Sequence, residues 1–242
     1  MEKKRSTWYS SRLRRDVTAV RFGHYGPPLL LFPTAGGDAE ECERMLMIRA
    51  LSPLIDAGRL KVYSVDSIAG QAWIDRRQGP LHKAWVQNMY DGYVHREVVP
   101  WIREDCETPD IEIFTAGASL GGFNAFASVC RHPDIFKMAV CMSGTFDLSG
   151  WMDGQHSADF QQASPIHFLP QLSGEHLDRL RQRFFILAVG EGRWESPRNS
   201  WRAAHVLGSR GVPNRVDPWG KEHDHDWPSW RTMLPKYMSE VT

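Results

Sequence analysis

The chain has 242 residues, 42% of them hydrophobic and 24% charged, with a formal net charge of zero. This is the composition of an ordinary globular protein. The neutral balance argues against bulk electrostatic binding to nucleic acid or to an anionic membrane, and no apolar run has the length needed to span a bilayer.

The opening segment MEKKRSTWYSSRLRRD is basic but carries no apolar stretch behind it. It reads as a solvated first strand rather than a secretory signal. VTAVRFG (17–23) predicts a strand, and PLLLFP (28–33) a buried strand that the small residues Thr34-Ala35-Gly36-Gly37-Asp38 stop. AEECERMLMIRALSPLIDAG (39–58) has helical spacing at Met45, Ile48, Leu51 and Ile55. RLKVYSVD (59–66) predicts another strand, followed by a loop containing glycine and glutamine. In the segment 83–105, Val86, Met89, Tyr93, Val94, Val98 and Ile102 share one helix face. Pro100 falls inside it and should kink or end the helix.

IEIFTAG (111–117) predicts a strand and GGFNAFASVCRH (121–132) a helix. FKMAVCMSG (136–144) and RFFILAVG (183–190) predict strands. A helix follows from about Pro197 to Leu207, then a short last strand in VPNRVDPWG (212–220) and a terminal helix in WPSWRTMLPKYM (227–238). This alternation predicts one α/β domain over residues 1–242, with a mostly parallel sheet covered by helices on both faces. Ligands of such sheets bind beyond the carboxyl ends of the strands.

Gly117-Ala118-Ser119-Leu120-Gly121 has the form G-x-S-x-G and lies between a predicted strand and a predicted helix, the context of a nucleophile elbow. Glycines at 117 and 121 allow a tight turn with the helix hard against the sheet. The helix aims its N–H groups and its positive end at Ser119, so the Leu120 amide can stabilise an oxyanion. An elbow needs a second donor from the loop after an earlier strand. The small-residue loop after Phe32 supplies one, with Ala35 the choice and Thr34 or Gly36 as neighbours in register. It also needs an acid and then a histidine later in the chain. Glu191 and Glu195 follow the strand 183–190, and KEHDHDWPSW offers His223 and His225. His205 reads as a helix residue.

The four cysteines, Cys42, Cys106, Cys130 and Cys141, show no C-x-x-C spacing. Three lie in apolar surroundings and read as buried thiols, which fits a reducing, cytoplasmic setting. Most of the 10 tryptophans should be core; Trp73, Trp151 and Trp194 are candidates for lining an apolar acyl or aryl pocket, with core or rim packing the preferred reading of each.

With these pieces together, the chain resembles the esterase D-like family of α/β-hydrolases. The resemblance rests on WYSSRLRRD, on LLFPTAGGD where relatives carry an H-G-G-G-G-D-like loop, on GASLGG, and on the terminal HDWPSW. Pro33 stands where many relatives have histidine. The resemblance implies an α/β-hydrolase fold and a small-molecule ester substrate. It implies catalysis by a serine esterase with the triad Ser119, Glu195 and His225 and an oxyanion hole from Leu120 and Ala35. Glu195 is chosen over Glu191 because it has a short loop in which to turn back and precedes Pro197 as the family acid precedes its helix. His225 is chosen over His223 because it immediately precedes Asp226-Trp227-Pro228, where Asp226 can cap the terminal helix. The segments 68–83 and 147–171 are expected to be substrate loops.

Other readings are acyl transfer from the same acyl-enzyme, a non-catalytic binding protein of this fold, and metal-dependent hydrolysis through His223, Asp224, His225 and Asp226. The last lacks a second ligand cluster in the sequence, so no metal and no cofactor is expected. The sequence does not address oligomeric state.

Overall fold

The computed structural model describes residues 1–242. Eight strands form one sheet: β1 (Lys3–Ser10), β2 (Arg15–Phe22), β3 (Pro28–Phe32), β4 (Lys61–Val65), β5 (Ile113–Ala118), β6 (Phe136–Met142), β7 (Phe184–Val189) and β8 (Asn214–Pro218). Their order across the sheet is β1-β2-β4-β3-β5-β6-β7-β8. The hairpin β1–β2 is antiparallel and joins β4 antiparallel; from β4 to β8 every pairing is parallel.

The near-continuous apolar runs that predict the strands follow from burial on both faces. Because successive side chains alternate, Leu30, Phe32, Ala139, Cys141, Phe185 and Leu187 enter one core cluster of 33 residues. Their immediate neighbours Leu29, Leu31, Val140, Met142, Ile186 and Ala188 enter another of 26. Ala125, Phe126 and Val129 from the helix Leu120–Arg131 close the first face. Ile48, Leu51 and Ile55 from the helix Met47–Asp56, with Met233, Leu234 and Tyr237 from Trp227–Val241, close the second.

Strand order reverses at β3, which has β4 on one side and β5 on the other. Phe32 pairs with Gly117 in parallel register. The loop after β3 and the turn after β5 therefore leave the sheet side by side, at the switch point where α/β sheets bind ligands.

Three expectations are corrected. The stretch 39–58 is two helices, Glu41–Arg44 and Met47–Asp56, because Leu46 takes φ 64° and turns the chain. The second helix tolerates Pro53: the Ser52 hydroxyl donates to the Arg49 carbonyl at 2.9 Å, the acceptor that Pro53 leaves without a helical partner. Pro100 does not end the helical run, which continues to Asp105. The π-helical segment Val94–Val98 precedes it, and the Val99 N–H reaches back five residues to the Val94 carbonyl. The wider turn changes the bonding register before the proline. The expected loops are largely helical: Ile68–Ile74 and the start of Pro80–Tyr93 fill the first, and Ala158–Ala163 and Pro165–Phe168 lie in the second. Gly174–Leu180 is a further helix that no sequence expectation covered.

Candidate active site

Ser119 lies between β5 and the helix Leu120–Arg131 with φ 56° and ψ −122°. A serine pays conformational energy at positive φ, and surrounding bonds hold it there. Its N–H donates to the Met142 carbonyl at 3.0 Å, and its carbonyl accepts from the Phe123 and Thr145 amides, each at 3.2 Å. The flanking glycines are sterically required. A Cβ on Gly117 would lie 2.3 Å from the carbonyl carbon of Gly121, and one on Gly121 would lie 2.5 Å from the carbonyl oxygens of Phe32 and Pro33.

Ser119, Thr34, Ala35, His225, Trp227 and Trp230 are among the residues that line one cleft of about 500 Å³. Leu120 occupies the first position of its helix, where the backbone N–H has no helical acceptor. The Ala35 amide likewise donates to no protein group. Thr34 differs: Glu41 takes both its amide and its hydroxyl, each at 2.7 Å. That clamp leaves Ala35, rather than Thr34, with an amide free at the cleft.

The two glutamates are separated by their surroundings. Glu191 is exposed. The side chain of Glu195 is 1% exposed, and its Oε2 lies 3.7 Å from Nδ1 of His225. Its other oxygen, Oε1, accepts from the Ser143 hydroxyl at 2.5 Å, and Trp230 Nε1 donates to the same hydroxyl at 2.9 Å. Oε2 itself is buried with no hydrogen-bond partner. A buried carboxylate oxygen without a donor is costly, and the group that faces it is the imidazole. A separation of 3.7 Å exceeds a hydrogen bond; such bonds are often long before substrate binds.

The HDHD segment is divided among distinct tasks. His225 is anchored through its N–H to the Arg193 carbonyl at 3.0 Å, and its ring meets Trp230 edge to face at 5.1 Å. His223 turns away from the cleft and packs edge to face on Trp219 at 5.0 Å. Asp224 accepts from the backbone N–H of Arg193 at 2.7 Å and from its Nε at 2.8 Å, and this guanidinium holds the Asp224 carboxyl below the usual range. Asp226 caps the terminal helix, accepting from the Ser229 N–H at 3.0 Å. The four side chains therefore point to four different partners instead of one centre.

Sequence reasoning missed Ser143, whose φ is 49° at the carboxyl end of β6. The only signal is its position in CMSG, a small residue ending the strand beside β5. Core packing holds for Trp73, with Trp151 packed against the same cluster. Trp73 is buried and stacks on Trp151 with ring centroids 5.9 Å apart, and Trp194 is 89% exposed; Trp227 and Trp230 line the cleft instead. Burial pushes the Cys42 thiol up to about 12 and the Cys130 and Cys141 thiols upward as well, which makes these three poor nucleophiles.

Glu195→Gln is expected to lower kcat for 4-nitrophenyl acetate by about 10³-fold or more, and Glu191→Gln by less than about threefold. Steady-state kinetics of the two variants make the comparison. A larger loss at position 191 would transfer the acid's role to Glu191.

Solved structures share this fold. A ferulic acid esterase superposes with a TM-score of 0.76 at 16% identity, covering 100% of this chain and 99% of its own. An S-formylglutathione hydrolase from Agrobacterium tumefaciens gives 0.76 at 15% identity, covering 98% and 93%. The fluorophosphonate-binding serine hydrolase F of Staphylococcus aureus gives 0.68 at 16%, covering 99% and 97%. A comparison with curated protein sequences finds no match. The family model described as "Putative esterase" matches residues 66–240, well over half of the chain and including the Ser119 turn, Glu195 and His225, and the chain belongs to that family of carboxylic ester hydrolases.

Proposed function

We propose that the protein hydrolyses small-molecule carboxylic esters through an acyl-enzyme on Ser119, with His225 as general base and acid and Glu195 as its partner. The observation that carries this reading is the buried Glu195 carboxylate. One oxygen is pinned by Ser143 and the other faces the imidazole of a histidine that shares a cleft with Ser119.

In the first half-reaction, Ser119 Oγ attacks the ester carbonyl carbon and its proton passes to Nε2 of His225. Glu195 accepts from Nδ1–H and stabilises the imidazolium. The carbonyl oxygen takes the negative charge and is held by the Leu120 and Ala35 amides. The intermediate collapses as the C–O bond breaks, and His225 returns the proton to the departing alcohol. Water repeats the sequence on the acyl-enzyme and releases the acid.

The test is covalent labelling by a fluorophosphonate followed by peptide mapping. One adduct is expected, on the peptide holding Ser119, formed equally with and without EDTA. Labelling elsewhere, or a requirement for added zinc, would overturn the assignment.

A further inference from the structure

Beyond Gly36 the Ser119 cleft borders a second and larger depression, about 680 Å³ in volume. Thr34 and Ala35 line the cleft while Gly36, the next residue, lines the groove. Ile74 lies across from it, its Cδ1 3.5 Å from where a Cβ on Gly36 would sit. The oxyanion loop is therefore a shared wall, and the missing side chain at Gly36 keeps that wall thin.

The groove is chemically unlike the rest of this neutral chain. Its lining includes Arg12, Arg14 and Arg15, around the hairpin turn between β1 and β2, and Arg77 from beyond the helix Ile68–Ile74. Asp75 is its one acidic residue. Arg77 already engages that carboxylate through Nε and Nη2, each at 2.9 Å. No carboxylate pairs with the three hairpin arginines, so their charge is uncompensated within the groove. The lining also includes open apolar side chains: Ile74 is 50% exposed and Trp85 47% exposed, with Val86 and Met89 in the same groove.

We infer that this groove binds a carboxylate carried at the far end of the ester substrate on an apolar or aromatic body. The inference rests on the serine-esterase reading above. Guanidinium groups match a carboxylate in charge and in bidentate geometry. An indole and aliphatic wall suits the body that links that carboxylate to the scissile bond. Selectivity for such esters over neutral ones then arises at the arginines.

The experiment compares matched esters that differ only in charge. The 4-nitrophenyl half-esters of adipic and suberic acids carry the carboxylate on the acyl side, and 4-acetoxycinnamic acid carries it on the alcohol side. Each is measured against its methyl-capped counterpart. At low ionic strength at least one pair is expected to show a kcat/KM ratio of about tenfold in favour of the anion. That ratio should fall below about twofold in the Arg12→Gln/Arg15→Gln variant and in about 0.5 M NaCl. The pair that responds identifies the side of the ester bond that faces the groove. Ratios near one for every pair in the wild-type protein, or a ratio unmoved by the substitutions, would overturn the inference. Failure of the wild-type protein to turn over any methyl-capped ester would overturn the esterase reading. The groove is then judged by calorimetric titration with monomethyl suberate: saturable binding lost in the double variant supports it, and no binding refutes it.

Discussion

Ser119→Ala is expected to lower kcat for 4-nitrophenyl acetate by about 10⁵-fold or more while the protein stays folded. The substitution removes one oxygen atom. Every backbone bond that holds residue 119 at φ 56° involves its N–H or its carbonyl, and alanine retains both. The unfolding midpoint in urea should therefore stay close to that of the parent protein. On the proposed mechanism, residual turnover would come from the Leu120 and Ala35 amides polarising the ester carbonyl without a nucleophile. Normal turnover by a purified, folded variant would remove Ser119 from the mechanism.

The second large effect is expected at His225. His225→Gln should cost about 10⁴-fold or more in kcat at saturating ester, and His223→Gln less than about tenfold. Glutamine can retain a contact to Glu195 but cannot carry a proton from Ser119 Oγ to the leaving alcohol. His223 contributes its carbonyl, which accepts from the Gly192 N–H at 3.0 Å, and a ring packed on Trp219; glutamine preserves the first of these. A fully active His225→Gln protein would move the base to His223.

The strands were legible in the sequence because burial on both sheet faces leaves runs such as PLLLF and FFILAV, and little else in a globular chain does so. The strained turn at Ser119 was legible because it admits only glycine at 117 and 121, a constraint visible as letters. The Glu41 clamp on Thr34 was not, since it depends on a helix that breaks at Leu46, and nothing local announces a non-glycine residue at positive φ. Ser143 was invisible for a related reason. Its role comes from Trp230 and Glu195, 87 and 52 residues further on, and both meet it only after the sheet has formed. Pro100 shows the reverse failure: the residue was plain, but the π-helical turn that accommodates it has no signature in residue types.

The hydrogen bonds from Glu195 through Ser143 to Trp230 tie the position of this carboxylate to the helix Trp227–Val241, which also starts two residues after His225, directly after its cap Asp226. The docked state of that helix is therefore a precondition for the alignment of His225 with Glu195 on which the proposed mechanism depends. A helix packed on one face of a sheet can open before the central strands do. In partial denaturation turnover would then vanish while the parallel strands still protect their amides from exchange, making it a more sensitive gauge of native order in this helix than any signal averaged over the sheet.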